Sequence, residues 1–390
     1  MIDYLSIRPL ATKPVLPLPV RMHADVTASG RGVCIAMVDS DFVIHPDLMN
    51  PTVRIVGYYD AVLDLESPLP PTVPTARHWH GTMTACTAAG NGYLSRGEFT
   101  SLAHEATVLL IRTMNDAGRV TTPTIVRALQ FIEYNAVRFG IRVVNLSVYA
   151  DEIDHTLDHP VNQAVEEVVA RNIVVVAAAG NNPFSPIRPP AAAPSALTVG
   201  GLDDKNTLDG ADEDLYHSTF GITELGVQKP ELIAPAIYLP APILPDTPTH
   251  TQASALCALD MMTDGMILSC APALMPHSGL PFPLWTSRDI PKLRQAITAI
   301  IDREQIASPF YKMVDGTSFA SPIIASIVAQ MIELSPLLTP REVKEILTRT
   351  ARPLPAYPAI RQGAGVVSQR ASLSAARDHA GRKVKLTDLA

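Results

Sequence analysis

The apolar positions of this chain fall into blocks of two kinds. Val33-Cys34-Ile35-Ala36-Met37-Val38, Thr107–Thr113, Arg142–Ser147, Ile173–Ala179 and Ala196–Gly200 are nearly continuous apolar runs of strand length. Such runs suit strands covered on both faces of a parallel sheet. Between them, Thr121–Phe139 and Pro160–Arg171 carry apolar residues at helical spacing, and Gly140 closes the first. Lys229–Pro235 reads as one more strand. Strands that alternate with helices require right-handed crossovers. The pattern therefore predicts an α/β fold, a three-layer α/β/α sandwich with a mostly parallel, doubly wound sheet.

The rest of the chain departs from this rhythm in definite places. Residues 1–30 read as an extended arm stiffened by prolines, and 60–77 as a polar, proline-rich loop. His78-Trp79-His80-Gly81-Thr82 opens a helical pattern that Gly90-Asn91-Gly92 ends. Residues 236–313 interrupt the alternation with proline-broken apolar stretches and two helical runs, and read as an insertion with a small core of its own. Asp315-Gly316-Thr317-Ser318-Phe319-Ala320-Ser321-Pro322 then leads into a long apolar helix, with Pro322 placed in its first turn. Thr339, Pro340 and Glu342 are the N-cap, N1 and N3 of another helix. A short last helix completes a main domain spanning 31–375, and a polar tail, 376–390, follows it.

Composition narrows the class. Apolar residues make up 47 % of the 390 and charged residues 18 %, which describes a compact chain rather than a disordered one. A formal charge of −7 argues against nucleic acid or an anionic membrane as partner. No basic n-region followed by an apolar h-region opens the chain. Cys34, Cys86, Cys257 and Cys270 lack metal-like spacing, and Cys34 in a core strand and Cys86 on an apolar helix face suit reduced, buried thiols. The expectation is a cytoplasmic protein with no membrane span and no metal or cofactor; oligomeric state is open.

Candidate chemistry sits at the ends of elements. Asp39 ends the first strand, at the edge where open α/β sheets place their ligands. His80 starts a helix, Asn181 follows a strand and Gly180, and Ser318 starts the long apolar helix. A serine at a helix start can attack a carbonyl while unpaired backbone N–H groups hold the oxyanion. Read singly, each residue also suits a bland role: a turn Asp, a structural His, a turn Asn, a helix cap. The order Asp, His, Ser, with gaps of 41 and 238 residues and no Gly-x-Ser-x-Gly, sets the chain apart from the α/β hydrolases.

Four blocks, VCIAMVDSDFVIHPDL, HGTMTACTAAGNG, VVVAAAGNN and DGTSFASPIIASIVAQM, resemble the signature blocks of the subtilisin-like serine proteases. The resemblance spans roughly 30–235 and 312–375, and the organisation is similar to intracellular members that lack a folded prodomain. It implies a serine endopeptidase with a triad of Asp39, His80 and Ser318 and an oxyanion donor at Asn181. It also implies that a peptide or protein substrate lies as an added strand between Leu146-Ser147-Val148 and Gly118-Arg119-Val120, with Tyr149 and Gly180 beside it. Tyr149-Ala150 stand where relatives commonly have a glycine pair, and Asp41, where they have glycine, adds a carboxylate near Asp39. Asp47 matches a calcium-ligand position of some relatives, but no calcium loop is recognisable at 91–101. Val15–Val20 is expected to dock on the body and restrain activity, and the insertion to lie over or beside the cleft. Two alternatives accompany this reading: a catalytically silent peptide-binding module, and a maturation protease dedicated to one peptide.

Overall fold

The computed structural model describes residues 15–150 and 158–387. Its main sheet has nine strands. In chain order, β1 is Cys34–Asp39, β2 Ile55–Asp60, β3 Leu65–Ser67, β4 Thr107–Arg112, β5 Ile141–Leu146, β6 Val174–Ala178, β7 Leu197–Asp203, β8 Asp214–Leu215 and β11 Leu232–Pro235, with β9 (Gly221–Ile222) and β10 (Gln228–Lys229) forming a separate hairpin. The sheet order is β11-β7-β6-β5-β1-β4-β2-β3, with β8 beside β7. Only β3 and β8 run antiparallel to their neighbours. The chain is an α/β protein, a three-layer α/β/α sandwich.

Alternate residues of the buried strands serve two cores. Ile35, Met37, Leu110 and Val176 face the helices Trp79–Ala89 and Thr317–Leu334, while Ala36, Val38, Leu109 and Val175 face Thr122–Phe139 and Pro160–Ala170. Double coverage is why the strands read as unbroken apolar runs rather than as alternating ones. Thr317–Leu334 is apolar and long enough to cross a membrane, yet 83 % of it is buried inside the protein. It is the central helix of the core, packed on β5, β6 and β7.

Several expectations change. Strand β2 runs up to the stretch read as a loop, 60–77, and β3 lies within it; β2 is buried except at Val56, so its short run of tyrosines and glycine hid a core strand. The proline-rich arm contains a helical turn, Leu18–Arg21, because Pro17 and Pro19 occupy an N-cap and a first turn, where no intrahelical N–H is required. The last helix runs from Gln369 to Thr387, through the stretch read as a tail. Pro322 lies beyond the first turn, inside the helix that begins at Thr317.

Within 236–313, Ile243, Leu256, Leu293, Ile297 and Ile301 enclose an apolar cluster of their own. Strands β12 (Leu239–Pro242), β13 (Ile306–Ser308) and β14 (Tyr311–Val314) form a small sheet at its base. It meets the body where Tyr311 packs on Phe99 and Val15 and donates to Asp47, and where β12 packs on the Trp79–Ala89 helix. Cys86 and Thr87 line that junction, about two helical turns beyond His80. These contacts join the small sheet to the C-terminal part of the histidine helix.

At the β7–β11 edge, Glu231 accepts from Lys229 Nζ (2.7 Å) and Lys344 Nζ (2.6 Å). Lys229 is wholly buried, and burial pulls its pKa down to about 8 against the pull of Glu231. Glu231→Gln strands two cations and should lower stability by about 3 kcal/mol. Lys229→Met leaves the Glu231–Lys344 pair intact and should cost less than about 1 kcal/mol. Urea unfolding of both variants checks this ordering, and equal losses would contradict it.

Candidate active site

Asp39 ends β1 with no exposure to solvent. A buried carboxylate needs donors. Its Oδ1 accepts from the Ser40 N–H and His80 Nδ1, both at 2.6 Å, and its Oδ2 accepts from the Thr84 hydroxyl at 2.8 Å. The Thr113 N–H and hydroxyl hold the Asp39 carbonyl at 2.9 and 2.7 Å, tying β1 to the end of β4. An ionised acceptor at Nδ1 fixes the His80 tautomer with its proton there and leaves Nε2 as the basic nitrogen. Burial lowers the imidazole's affinity for a proton, but the charge and hydrogen bond of Asp39 outweigh it, so the His80 pKa is raised.

His80 reaches Asp39 because the next residue is Gly81. A Cβ there would lie 2.3 Å from the Asp41 carbonyl oxygen and 3.1 Å from Asp39 Cβ, so any larger residue pushes the helix off β1. Thr84, one turn on from His80, was not singled out in the sequence. Its signal was a hydroxyl on the histidine's helix face within an otherwise apolar run.

The serine helix begins against the imidazole, with the Phe319 and His80 rings 5.8 Å apart. Ser318 is half-buried in its first turn. The Thr317 N–H is taken by Asn181 Oδ1 at 2.9 Å, and the Phe319 and Ala320 N–H groups by the Gly316 carbonyl. The Ser318 N–H has no acceptor among the described residues. The Thr317 hydroxyl also donates to Asn181 Oδ1 (2.9 Å) and accepts from the Gly180 N–H (3.1 Å). With its oxygen so engaged, the Asn181 amide turns its NH2 toward Gly316, where an added Cβ would lie only 3.3 Å from Nδ2.

Pro322 inside the helix has a consequence. It has no N–H for the Ser318 carbonyl, four residues earlier. The Ser147 hydroxyl supplies the missing donor at 2.9 Å. Ser147 in turn accepts from Asn145 Nδ2 at 3.0 Å, and the Ser321 hydroxyl donates to Asn145 Oδ1 at 2.6 Å. Asn145 and Ser321 also escaped the sequence reading. The signal for Asn145 was an amide inside the apolar run of β5.

The candidate substrate residues are placed less uniformly. Leu146 is buried at the end of β5, Val148 packs partly on the core, and Tyr149 is 50 % exposed with the Arg188 guanidinium 5.2 Å from its ring. A ring and a cation thus stand where a glycine pair would leave open space. Gly180 has φ +102°, which carries the chain from β6 to Asn181. Gly118 ends a tight turn, and Arg119 and Val120 form the return arm of a short hairpin: the Asn115 N–H donates to the Arg119 carbonyl, and Val120 bridges antiparallel to Met114. Val120 is 6 % exposed and packs in the core, which leaves Gly118 and Arg119 at the surface.

Asp41 and His78 do not join the Asp39 group. Asp41 accepts from the Tyr58 hydroxyl (3.0 Å) and the Phe42 N–H (2.8 Å), with Arg112 Nε at 3.3 Å and His78 Nε2 at 3.5 Å. Burial pushes its pKa up, but the hydrogen bonds of His78 and Phe42 and the nearby cations prevail, so it lies below its ordinary value. The carboxylate expected to crowd Asp39 is neutralised in a network of its own. The donor atoms of His45, Asp47 and Cys86 lie within 4.8 Å of one another, all buried. Yet His45 Nδ1 accepts from the Asp47 N–H, the Asp47 carboxylate accepts from the Leu94 N–H and the Tyr311 hydroxyl, and burial holds the Cys86 thiol protonated. These ligand atoms are committed to protein partners.

This sheet, covered by helices on both faces, places the chain in a class, the three-layer α/β/α sandwiches with a mostly parallel sheet. Within it the chain belongs to the subtilase family, peptidase S8, whose profile matches residues 30–367. It is 31 % identical over 329 residues to the serine protease AprX of Bacillus subtilis, covering 82 % of this chain and 61 % of AprX. The chain thus spans about three fifths of that relative's length. Among solved structures, fervidolysin from Fervidobacterium pennivorans, a keratinolytic enzyme related to subtilisin, superposes with a TM-score of 0.61 at 19 % identity, over 89 % of this chain and 43 % of its own. The prenylagaramide maturation protease PagA superposes with a TM-score of 0.56 at 17 % identity, over 91 % of this chain and 95 % of its own.

The raised His80 pKa has a definite sign. Neutral His80 is the basic form, so activity should climb as pH rises, with its acid limb above the ordinary histidine value of 6.5. Folding stability from the protonated pair should be fully present below that value and be lost as pH rises through the folded-state pKa. Asp39→Asn should move the limb of kcat/KM downward and cut the rate by roughly 10⁴. A pH–rate profile of the two proteins checks both; an unmoved limb would detach Asp39 from the imidazole's titration.

Proposed function

We propose that the chain is a serine endopeptidase acting through an acyl-enzyme on Ser318. The observation that carries this reading is the 2.6 Å hydrogen bond from His80 Nδ1 to a fully buried Asp39, set against the first turn of the serine helix. His80 Nε2 takes the Ser318 proton as the hydroxyl oxygen attacks the substrate carbonyl carbon. The electron pair of that carbonyl moves onto its oxygen, where the unpaired Ser318 N–H and Asn181 Nδ2 donate to it. His80 then protonates the leaving amine, the C–N bond breaks, and water repeats the sequence on the ester.

The substrate backbone lies along Leu146-Ser147-Val148, with Gly118 and Arg119 opposite and Gly180 and Tyr149 beside the residue before the cut. The silent binding module leaves unexplained why a carboxylate should be buried among three donors and aimed at a histidine. A protease dedicated to one peptide shares the same chemistry, and sequencing the cut sites in a digested proteome separates it from general degradation.

A fluorophosphonate probe should label the protein at Ser318 and leave Ser318→Ala unlabelled and folded, since removing a hydroxyl at a helix start costs only about 1 kcal/mol. Asn181→Ala should lower kcat by about 100-fold or more with KM little changed, because its amide acts on the transition state. Label on Ser318→Ala, or an Asn181 effect confined to KM, would contradict the assigned roles.

A further inference from the structure

The segment ahead of β1 ends in a buried arginine. Leu18–Arg21 is a single helical turn whose Leu18 enters the main core, while the Leu16 N–H bonds to Asn206 Oδ1 at 3.1 Å. The Arg21 side chain is wholly buried. Its Nε donates to Asp204 Oδ2 at 2.9 Å, and one terminal nitrogen donates to Asp204 Oδ1. The guanidinium also donates to two successive backbone carbonyls, Ile237 at 2.9 Å and Tyr238 at 2.7 Å. A planar fork of donors suits this task, and a lysine could not meet the same acceptors together.

The clamped stretch is unusual in itself. Tyr238 has φ +54°, a left-handed conformation that a bulky residue adopts only when its surroundings hold it there. From this turn two bonds reach the residues just ahead of Ser318. The Ala236 carbonyl accepts from the Gly316 N–H at 2.7 Å, and the Tyr238 N–H donates to the Asp315 carboxylate at 2.9 Å. Gly316 is the residue beside Asn181 Nδ2 and precedes the helix whose first turn carries Ser318.

We infer that Arg21 is a positioning residue for the nucleophile: it holds the 236–238 turn in the strained form that sets Asp315 and Gly316, and through them the Ser318 N–H and hydroxyl. This inference rests on the reading of Ser318 as the nucleophile. It also reverses the expectation for Val15–Val20, since a segment that ends in this clamp supports the site instead of restraining it. Arg21 touches neither substrate nor reacting atoms; it acts through Tyr238 and Gly316.

The test uses the full-length chain and a small chromogenic peptide substrate. Arg21→Met with Asp204→Asn removes the clamp without stranding a buried carboxylate, and Arg21→Lys keeps the charge but not the fork. Both should lower kcat about tenfold with KM changed by less than about twofold, in protein whose thermal unfolding remains cooperative. Adding Tyr238→Gly to either should restore most of the lost kcat, because glycine adopts φ +54° without a clamp. A purely structural Arg21 would give a lower Tm with parental kcat and no rescue, and that result overturns the inference. So does a truncation of residues 1–24 that cleaves faster than the parent. Should the double variant fail to fold, Arg21→Lys alone decides: parental kcat in that protein sinks the idea. Fluorophosphonate labelling of the parent separates the two readings. An unlabelled parent refutes Ser318 as nucleophile, whereas a labelled parent matched in rate by both variants refutes only the role of Arg21.

Discussion

Ser147 donates to the Ser318 carbonyl because Pro322, four residues further along the helix, has no N–H to give. Much of the architecture around the site follows from that substitution of donors. The helix carrying Ser318 is the apolar centre of the protein, so its polar start lies at the edge of a dry core where every unpaired group is costly. Ser147, Asn145 and Ser321 satisfy one another and the freed carbonyl, while Asn181 and Gly180 engage Thr317. The Ser318 N–H remains without an acceptor among the described residues, and its hydroxyl stays near the surface. What is fixed and what is left free thus differ by one residue, and a free N–H at a helix start is the donor that the proposed mechanism uses.

Charge is sorted with the same economy at the other end of the site. Asp39 and Asp41 are both buried and two residues apart, and two unscreened carboxylates so placed would raise one another's pKa. The chain turns Asp41 away to Tyr58, Phe42, Arg112 and His78, where it lies below its ordinary value. Among the described residues, Asp39 then forms its ion pair with His80. Arg112 also bonds to Asp60 and Asp116, so one guanidinium ties the ends of β2 and β4 to the turn that carries Gly118 and Arg119.

The parallel sheet was legible because burial on both faces writes itself as unbroken apolar runs, and the catalytic candidates because they stand at element ends within specific blocks. Other features left weaker traces. β2 carries Gly57, Tyr58 and Tyr59 in place of aliphatic residues, and Tyr58 is there partly to reach Asp41. Pro322 suited a first turn by sequence, and only the structure shows that the helix starts at Thr317 and that Ser147 repairs the lost bond. Val120 was read as facing substrate, but an apolar residue after a tight turn serves the core equally well. Partners that meet across long separations, such as Arg21 with Tyr238 or Tyr311 with Asp47, have no local signature at all.

Those long-range partners decide what the two non-repeating segments contribute. The stretch before β1 was expected to dock on the body and restrain activity, and the one between β11 and the serine helix to lie over or beside the cleft. Their described contacts reach the elements around His80 and Ser318. Tyr311 fills Asp47 and packs with Phe99 and Val15, β12 lies on the histidine helix, and Arg21 grips the turn that leads into β12. One of these contacts reaches the helix carrying His80 directly, and the gripped turn bonds to Asp315 and Gly316 just ahead of Ser318. A triad needs its members held within fractions of an ångström, and a parallel sheet fixes only the strand ends. The helices that bear His80 and Ser318 need further contacts as well, and in this protein the added segments supply some of them, β12 on the first and the 236–238 turn ahead of the second.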